Sequence, residues 1–286
     1  MPVQRIAEDI FVNLGKSDSI YDGWGANQTF IVTHEGVIVV DTGFTSKISN
    51  VLLREIKKRT DRPVKLVVNT HDHSDHVFGN SVFAETKASI LAHRNCIARI
   101  VEMSGERIKA YRKFDKKLEE ALHGLAIVPP QITYDVDFTN SIGDKTLNII
   151  HPHNGAHTKG DTMILLPDDR ILISGDVLSV NYHPNLEDAD IPAWLDLLGE
   201  IKAMKVDQII PGHGSISPKG HVSVFENYLK KFDSEVRKRA KEGIKQVPVM
   251  EGSENWNLKL IVERNFRLLY DKYTGAEQLS GDVIPR

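Results

Sequence analysis

Six consecutive residues limit what this chain can fold into more than anything else in it: His71-Asp72-His73-Ser74-Asp75-His76, just after the largely apolar run Val64 to Val68. Three imidazoles and two carboxylates at the end of a buried-strand sequence need partners. Burying such groups unpaired costs several kcal/mol. A divalent cation resolves the conflict, because imidazole nitrogen and carboxylate oxygen are both suitable zinc ligands. In an extended or turning segment His71 and His73 point the same way, and Asp75 and His76 can turn towards a second centre. The competing reading is a solvated polar turn.

Three more polar residues share this context. Asp176 follows the strand-like Arg170 to Ile173 through Ser174-Gly175, and His213 follows Gln208 to Ile210 through Pro211-Gly212. His157 lies in Asn154-Gly155-Ala156-His157-Thr158, before the strand-like Thr162 to Leu166. Loops at strand ends are where a rigid α/β scaffold displays chemistry. Taken singly, a histidine after a strand is more often a capped or core residue, and an aspartate after glycine a turn residue. Their order and shared placement strengthen the joint reading.

The surrounding pattern alternates strands and helices, which argues α/β layers. Phe30 to Val32 and Val37 to Val40 form a predicted hairpin, Ser46 to Arg59 an amphipathic helix, and Ser89 to Leu91 a short strand. Arg94 to Leu122 is helical and charged until Pro129-Pro130 breaks it. Strand-like pieces resume at Thr133 to Phe138, Lys145 to Ile150, Thr162 to Leu166 and Arg170 to Ile173. Helices are expected over Ile191 to Lys205, Val222 to Glu242 and Leu258 to Tyr270. The expectation is a single domain over 1–286, with related halves of roughly 1–130 and 131–220 and a helical tail over 221–286.

Composition narrows the setting. With 12 His against 1 Cys there is no internal disulfide, and nothing demands an oxidising compartment. No apolar run approaches the roughly 20 residues that span a bilayer. The N-terminus lacks the zones of a signal peptide, so the expected location is cytoplasmic and no membrane partner is expected. A net charge of −3, from 36 Lys+Arg and 39 Asp+Glu, offers no field for gripping nucleic acid.

These motifs together resemble the metallo-β-lactamase-fold hydrolase superfamily. The matching pieces are Asp41 in VVDTG, the HDHSDH cluster, His157 in GAHTKGD, Asp176 in ISGDVL and His213 in PGHG. The resemblance implies an α/β fold, a four-layer αββα sandwich of two related halves. It implies that His71, His73 and His157 bind a first metal, that Asp75, His76 and His213 bind a second, and that Asp176 bridges them. Asp41 would orient a ligand imidazole through a hydrogen bond. The implied cofactor is two divalent metal ions, zinc first, with iron or manganese also suited to these ligands.

Such a centre can hold a shared water as hydroxide near neutral pH, with Asp75 positioning the nucleophile or accepting its proton. The Asp-bridged pattern is similar to glyoxalase II-like thioesterases and lactonases, so the expected reaction is hydrolysis of a thioester, ester or lactone of a small substrate. The common β-lactamases of the superfamily carry Cys where this chain has Asp176, and the lactonases usually place Tyr where it has Ser179. A β-lactamase or small-phosphodiester hydrolase is the alternative. A mono-iron sulfur dioxygenase is a second alternative from a different class, and a metal-binding module without catalysis a third.

His151 and His153 receive no ligand role, because two sites are already filled. His34, His93, His123 and His221 are expected in turns or on the surface, and Tyr182 and His183 in a structural loop that could touch substrate. Cys96 is expected to be structural and away from the motifs. Glu102, Arg107, Lys109, Arg112 and Lys113, like Arg237-Lys238-Arg239, are expected to face solvent. Trp256 and Phe266 are expected to pack the tail onto the body, or onto a partner chain in a homodimer.

Overall fold

In a computed structural model, which describes residues 3–276, the chain builds two sheets with helices on their outer faces. The first sheet is laid down in chain order: β1 (Val3–Arg5), β2 (Ile10–Asn13), β3 (Gln28–Thr33), β4 (Gly36–Val40), β5 (Val64–Val68), β6 (Ser89–His93) and β7 (Ile132–Tyr134). Helices α1 (Ser46–Lys57), α2 (Ser74–Val77), α3 (Asn80–Ala84), α4 (Arg94–Phe114) and α5 (Lys116–Ala121) connect its later strands. The predicted hairpin is β3–β4, with Thr33 opposite Gly36. From β4 to β7 the pairing is parallel.

The second sheet contains β8 (Phe138–Ile142), β9 (Lys145–Ile150), β10 (Met163–Leu166), β11 (Ile171–Ser179), β12 (Gln208–His213) and β13 (Ser217–Pro218), in the order β13-β12-β11-β10-β9-β8. Helix α6 (Ile191–Ala203) joins β11 to β12, and α7 (His221–Glu242) and α8 (Leu260–Thr274) follow.

Thr133 to Phe138, expected as one strand, is instead the crossover between sheets. Tyr134 ends β7 in the first and Phe138 begins β8 in the second. The turn between them exposes Val136, and its Asp137 carboxylate accepts the backbone N–H of His151.

Both sheets are covered on both faces, which explains the unbroken apolar runs. Along β4, Ile38 and Val40 face the core between the sheets, while Val37 and Val39 pack with Leu52 and Ile56 of α1. Opposite them, Ile171, Ile173 and Ile210 enter the same central core, while Leu172 and Ile209 pack under α6 and α7. This alternation produces the four layers αββα.

Trp256 and Phe266 join that second helical layer and pack the tail onto the body. In α4, Lys109 and Lys113 are exposed as expected, whereas Arg112 turns back to the carbonyl of Leu122. The side chain of Glu102 lies outside the described residues. No described helix is long and apolar enough to cross a membrane.

Candidate metal centre

The carboxyl ends of β4, β5, β11 and β12 converge, with the loop between β9 and β10 closing over them. In α/β sheets this edge is where ligands bind. It brings together all seven residues singled out in the sequence. His71, His73, His157 and Asp176 each offer a donor atom, and these atoms lie within 4.8 Å of one another. Asp75, His76 and His213 form a second group of the same compactness. Asp176 touches both: its Oδ2 is 3.8 Å from His71 Nε2, 3.5 Å from His157 Nε2 and 3.3 Å from His213 Nε2. Its Oδ1 is 3.3 Å from His76 Nε2.

Two glycines make room for Asp176. A Cβ on Gly212 would stand 1.9 Å from Asp176 Oδ1, and one on Gly175, at φ +52°, would stand 2.6 Å from Thr70 Cβ. The parallel register of β11 and β12 slips on both sides of Gly175, a bulge that re-aims the aspartate at the end of the sheet.

The partners of each imidazole decide which nitrogen faces inward. Asp41 stands just beyond β4 and accepts from the backbone N–H of Thr70 at 2.8 Å, the Thr70 hydroxyl at 2.7 Å and His76 Nδ1 at 2.8 Å. Because Thr70 Oγ1 spends its proton on Asp41, it accepts from His71 Nδ1, 3.0 Å away. His213 Nδ1 donates to the carbonyl of Trp24 at 3.1 Å. A carboxylate, a hydroxyl and a carbonyl therefore leave His71, His76 and His213 with Nε2 lone pairs aimed into the site.

His73 is reversed. Its Nε2 faces Asp188 Oδ2 at 3.4 Å, while Nδ1 is 3.0 Å from His157 Nε2.

The cluster fits a cation. His71 Nε2, His76 Nε2 and Asp176 Oδ1 are buried and make no hydrogen bond among the described residues. Each would cost about 1–3 kcal/mol if left so. Without a cation, burial works against charge on His213, but Asp176 and Asp75 outweigh it and push the imidazole up to about 9. Burial and the neighbouring imidazoles hold His71 well below its ordinary value despite Asp176. A set of buried nitrogens competing for protons between two carboxylates is the electrostatic mark of a cation site.

Several contributors were given no role from the sequence. Arg99 of α4 donates from Nε to Asp72 at 2.9 Å and from its terminal nitrogen to Asp188 at 2.7 Å, tying the histidine motif to the residue behind His73. Asp161, within the motif GAHTKGD, binds the N–H and hydroxyl of Thr158 and so tightens the His157 loop. Burial pushes its carboxyl up to about 7.

Cys96 is structural but not remote: it is buried with Sγ 3.1 Å from the carbonyl of Gly160, in the His157 loop. His93, expected on the surface, is buried and stacks on His151 with ring centroids 3.5 Å apart. It caps α4 by accepting from Asn95 N–H. His151 Nδ1 meets the carbonyl of Asp161 and belongs to neither donor group. His34, His123 and His153 are exposed, and His221 is half-buried at the start of α7. Tyr182 packs against the His213 ring, and His183 bonds the Tyr228 hydroxyl at 2.8 Å.

A pocket of about 400 Å³ opens over His73, Asp75, Asp176 and His213, with Ser179 and His183 also on its wall.

The sequence profile of the metallo-beta-lactamase superfamily matches residues 21–213, more than half of the chain and every candidate ligand. The chain belongs to this superfamily. Among curated relatives it is similar to a linear primary-alkylsulfatase of a Pseudomonas strain, 24% identical over 211 residues. That alignment covers 63% of this chain but only 40% of the alkylsulfatase. A metallo-beta-lactamase type 2 from a Bacillus strain is 25% identical over 202 residues, 68% of this chain and 69% of that one. A solved metallo-beta-lactamase from Pontibacter korlensis superposes with a TM-score of 0.65 at 22% identity, over 80% of this chain and 98% of its own. The relatives it matches include proteins named metallo-beta-lactamase and probable metallo-hydrolase.

Proposed function

We propose that the chain is a binuclear metal-dependent hydrolase that cleaves the thioester, ester or lactone carbonyl of a small substrate. The observation that carries this is the position of Asp176, whose two oxygens lie between the two donor groups. His71, His73 and His157 would hold one cation, Asp75, His76 and His213 the other, and Asp176 both. Zinc is the first choice for these nitrogen and oxygen donors, with iron or manganese next.

Bound there, the pair would lower the pKa of water from 15.7 towards about 7 and polarise a carbonyl oxygen. The chain's own residues do the rest. Asp41 keeps two imidazoles in the inward-facing tautomer, His76 directly and His71 through Thr70. Asp75 lines the pocket, with Oδ2 3.4 Å from His213 Nε2, where it can position the attacking water and take its proton.

β-Lactam hydrolysis is the second reading, favoured by the names of several relatives. The test is a screen of thioesters, lactones, β-lactams, phosphodiesters and alkyl sulfates on protein of measured metal content, with oxygen uptake followed in parallel. Turnover of thioesters or lactones that vanishes with a chelator and returns with metal is the expected result. Activity persisting in metal-free protein would overturn the mechanism. Turnover confined to β-lactams or sulfates would overturn the substrate class, and stoichiometric oxygen uptake would replace hydrolysis by oxidation.

A further inference from the structure

The residues that line the pocket divide by origin. Those that reach the metal centre lie within the superfamily match, residues 21–213. Much of the facing apolar wall does not. Ile20 precedes the match, and Leu258, Leu260 and Ile261 follow it, at the entrance to α8. Trp24 and Phe114 complete this wall from the 3-10 turn Ile20–Gly25 and the end of α4.

Specific bonds hold the added segments at the site. Leu258 N–H donates to Asp18 Oδ2 at 3.0 Å, and Asn257 exchanges backbone hydrogen bonds with Asn181 and His183. Trp24, whose carbonyl orients His213, is braced by the rings of Phe44 and Tyr111. Two charged side chains also line this end, and both are engaged: Arg264 pairs with Glu187, and Asp18 accepts from Leu258 N–H.

At the mouth the wall remains uncovered. Phe114 is 59% exposed and Leu260 86% exposed. Large apolar side chains left in water around an apolar pocket mark a ligand or contact surface.

We infer that this wall binds a hydrocarbon chain: the substrate is an acyl ester or thioester whose uncharged tail runs from the metal centre past Trp24 and Ile261 and leaves between Phe114 and Leu260. This rests on the hydrolase reading above. It assigns chain-length selectivity to a wall that Ile20, Leu258, Leu260 and Ile261 build from outside the superfamily match and Trp24 and Phe114 from within it. A polar acyl group would desolvate against this wall with little to bond, whereas each methylene buried there multiplies binding by about fourfold.

Two measurements test it, one of them independent of turnover. The first is calorimetric titration of the metal-loaded protein with butanol and octanol. Saturable binding of octanol at least about tenfold tighter than butanol is expected, since four more methylenes enter the wall only in part. The Leu260→Glu and Phe114→Ser variants should narrow that ratio. The second is kcat/KM for a series of thioesters from acetyl to octanoyl, expected to climb steadily with chain length. Equal binding of the two alcohols, or failure to bind octanol, overturns the inference whatever the protein hydrolyses. A flat thioester series overturns it too, while leaving the hydrolase reading in place. Absence of thioester, ester or lactone turnover together with tight octanol binding removes the carbonyl substrate class and leaves the hydrocarbon wall.

Discussion

Replacing Asp41 by Asn isolates what one carboxylate does for the metal centre. Asp41 has φ +61°, a left-handed conformation that Asn tolerates as well as Asp, so the backbone is not the variable. The carboxylate accepts three hydrogen bonds, one on Oδ1 and two on Oδ2. An amide has a single acceptor oxygen. Its better orientation keeps that oxygen on the Thr70 hydroxyl and His76 and turns its NH2 against the Thr70 N–H, donor facing donor. The loss is one hydrogen bond to a charged acceptor, about 2 kcal/mol of stability.

A neutral amide also holds the His76 Nδ1 proton less firmly, which makes Nε2 a weaker ligand. Partners of this kind are worth about 10–100-fold in metal affinity, or about 1.4–2.8 kcal/mol. The site containing His76 should weaken more than the one containing His71, because the bond between Thr70 and Asp41 survives. Competition against a chromophoric chelator gives the two affinities, and denaturant unfolding with and without chelator gives the stabilities. If unfolding without metal is weakened by about 2 kcal/mol but both affinities stay within threefold of wild type, Asp41 ties strands together and does not orient a ligand.

Further substitutions discriminate among the histidines. His157→Ala should lose metal and activity with the fold retained by circular dichroism. His151→Ala should keep its metal and lose stability, since its ring stacks on His93; the opposite pattern in a metal assay would invert the ligand assignment. Asp75→Ala and His73→Ala should both abolish hydrolysis without unfolding the chain, and an active Asp75→Ala variant would remove the role given to that carboxylate.

Acid should destabilise the protein through imidazoles that belong to neither donor group. Burial pushes both His93 and His183 down to about 4, helped by His151 beside the first and Lys259 beside the second. An unfolded imidazole titrates near 6.5, so between about 6.5 and 4 the unfolded chain binds more protons and stability falls as pH falls. His93→Asn, which can still cap α4, should flatten that decline in metal-free unfolding curves, and an unchanged slope would exonerate His93.

Much of the fold was legible in the sequence because it rests on short-range pattern. Val37 to Val40 is an unbroken apolar run and Val64 to Val68 is interrupted only by the exposed Lys65, because both faces of their sheet are covered, and they became β4 and β5. The seven candidate ligands were legible through residue type and placement at strand ends, and the structure gathers all of them. The misreadings have a common physical cause. Thr133 to Phe138 carries strand propensity throughout, but propensity does not say which sheet a residue joins, and the chain changes sheets between Tyr134 and Phe138. His93 looks like a turn residue until β9 delivers His151 to its face.

What the sequence by itself determined is the chemistry available: imidazoles and carboxylates, spaced so that parallel strand ends must deliver them to one edge. What only the tertiary structure decided is how those groups are held and what they face. Arg99 meets Asp188 across 89 residues, and Trp24 reaches His213 across 189. The pocket wall joins Ile20, Phe114 and Leu260. Contacts of that range leave no local period or motif in the chain, because they are set by how the helices and loops pack once both sheets have closed on their common core.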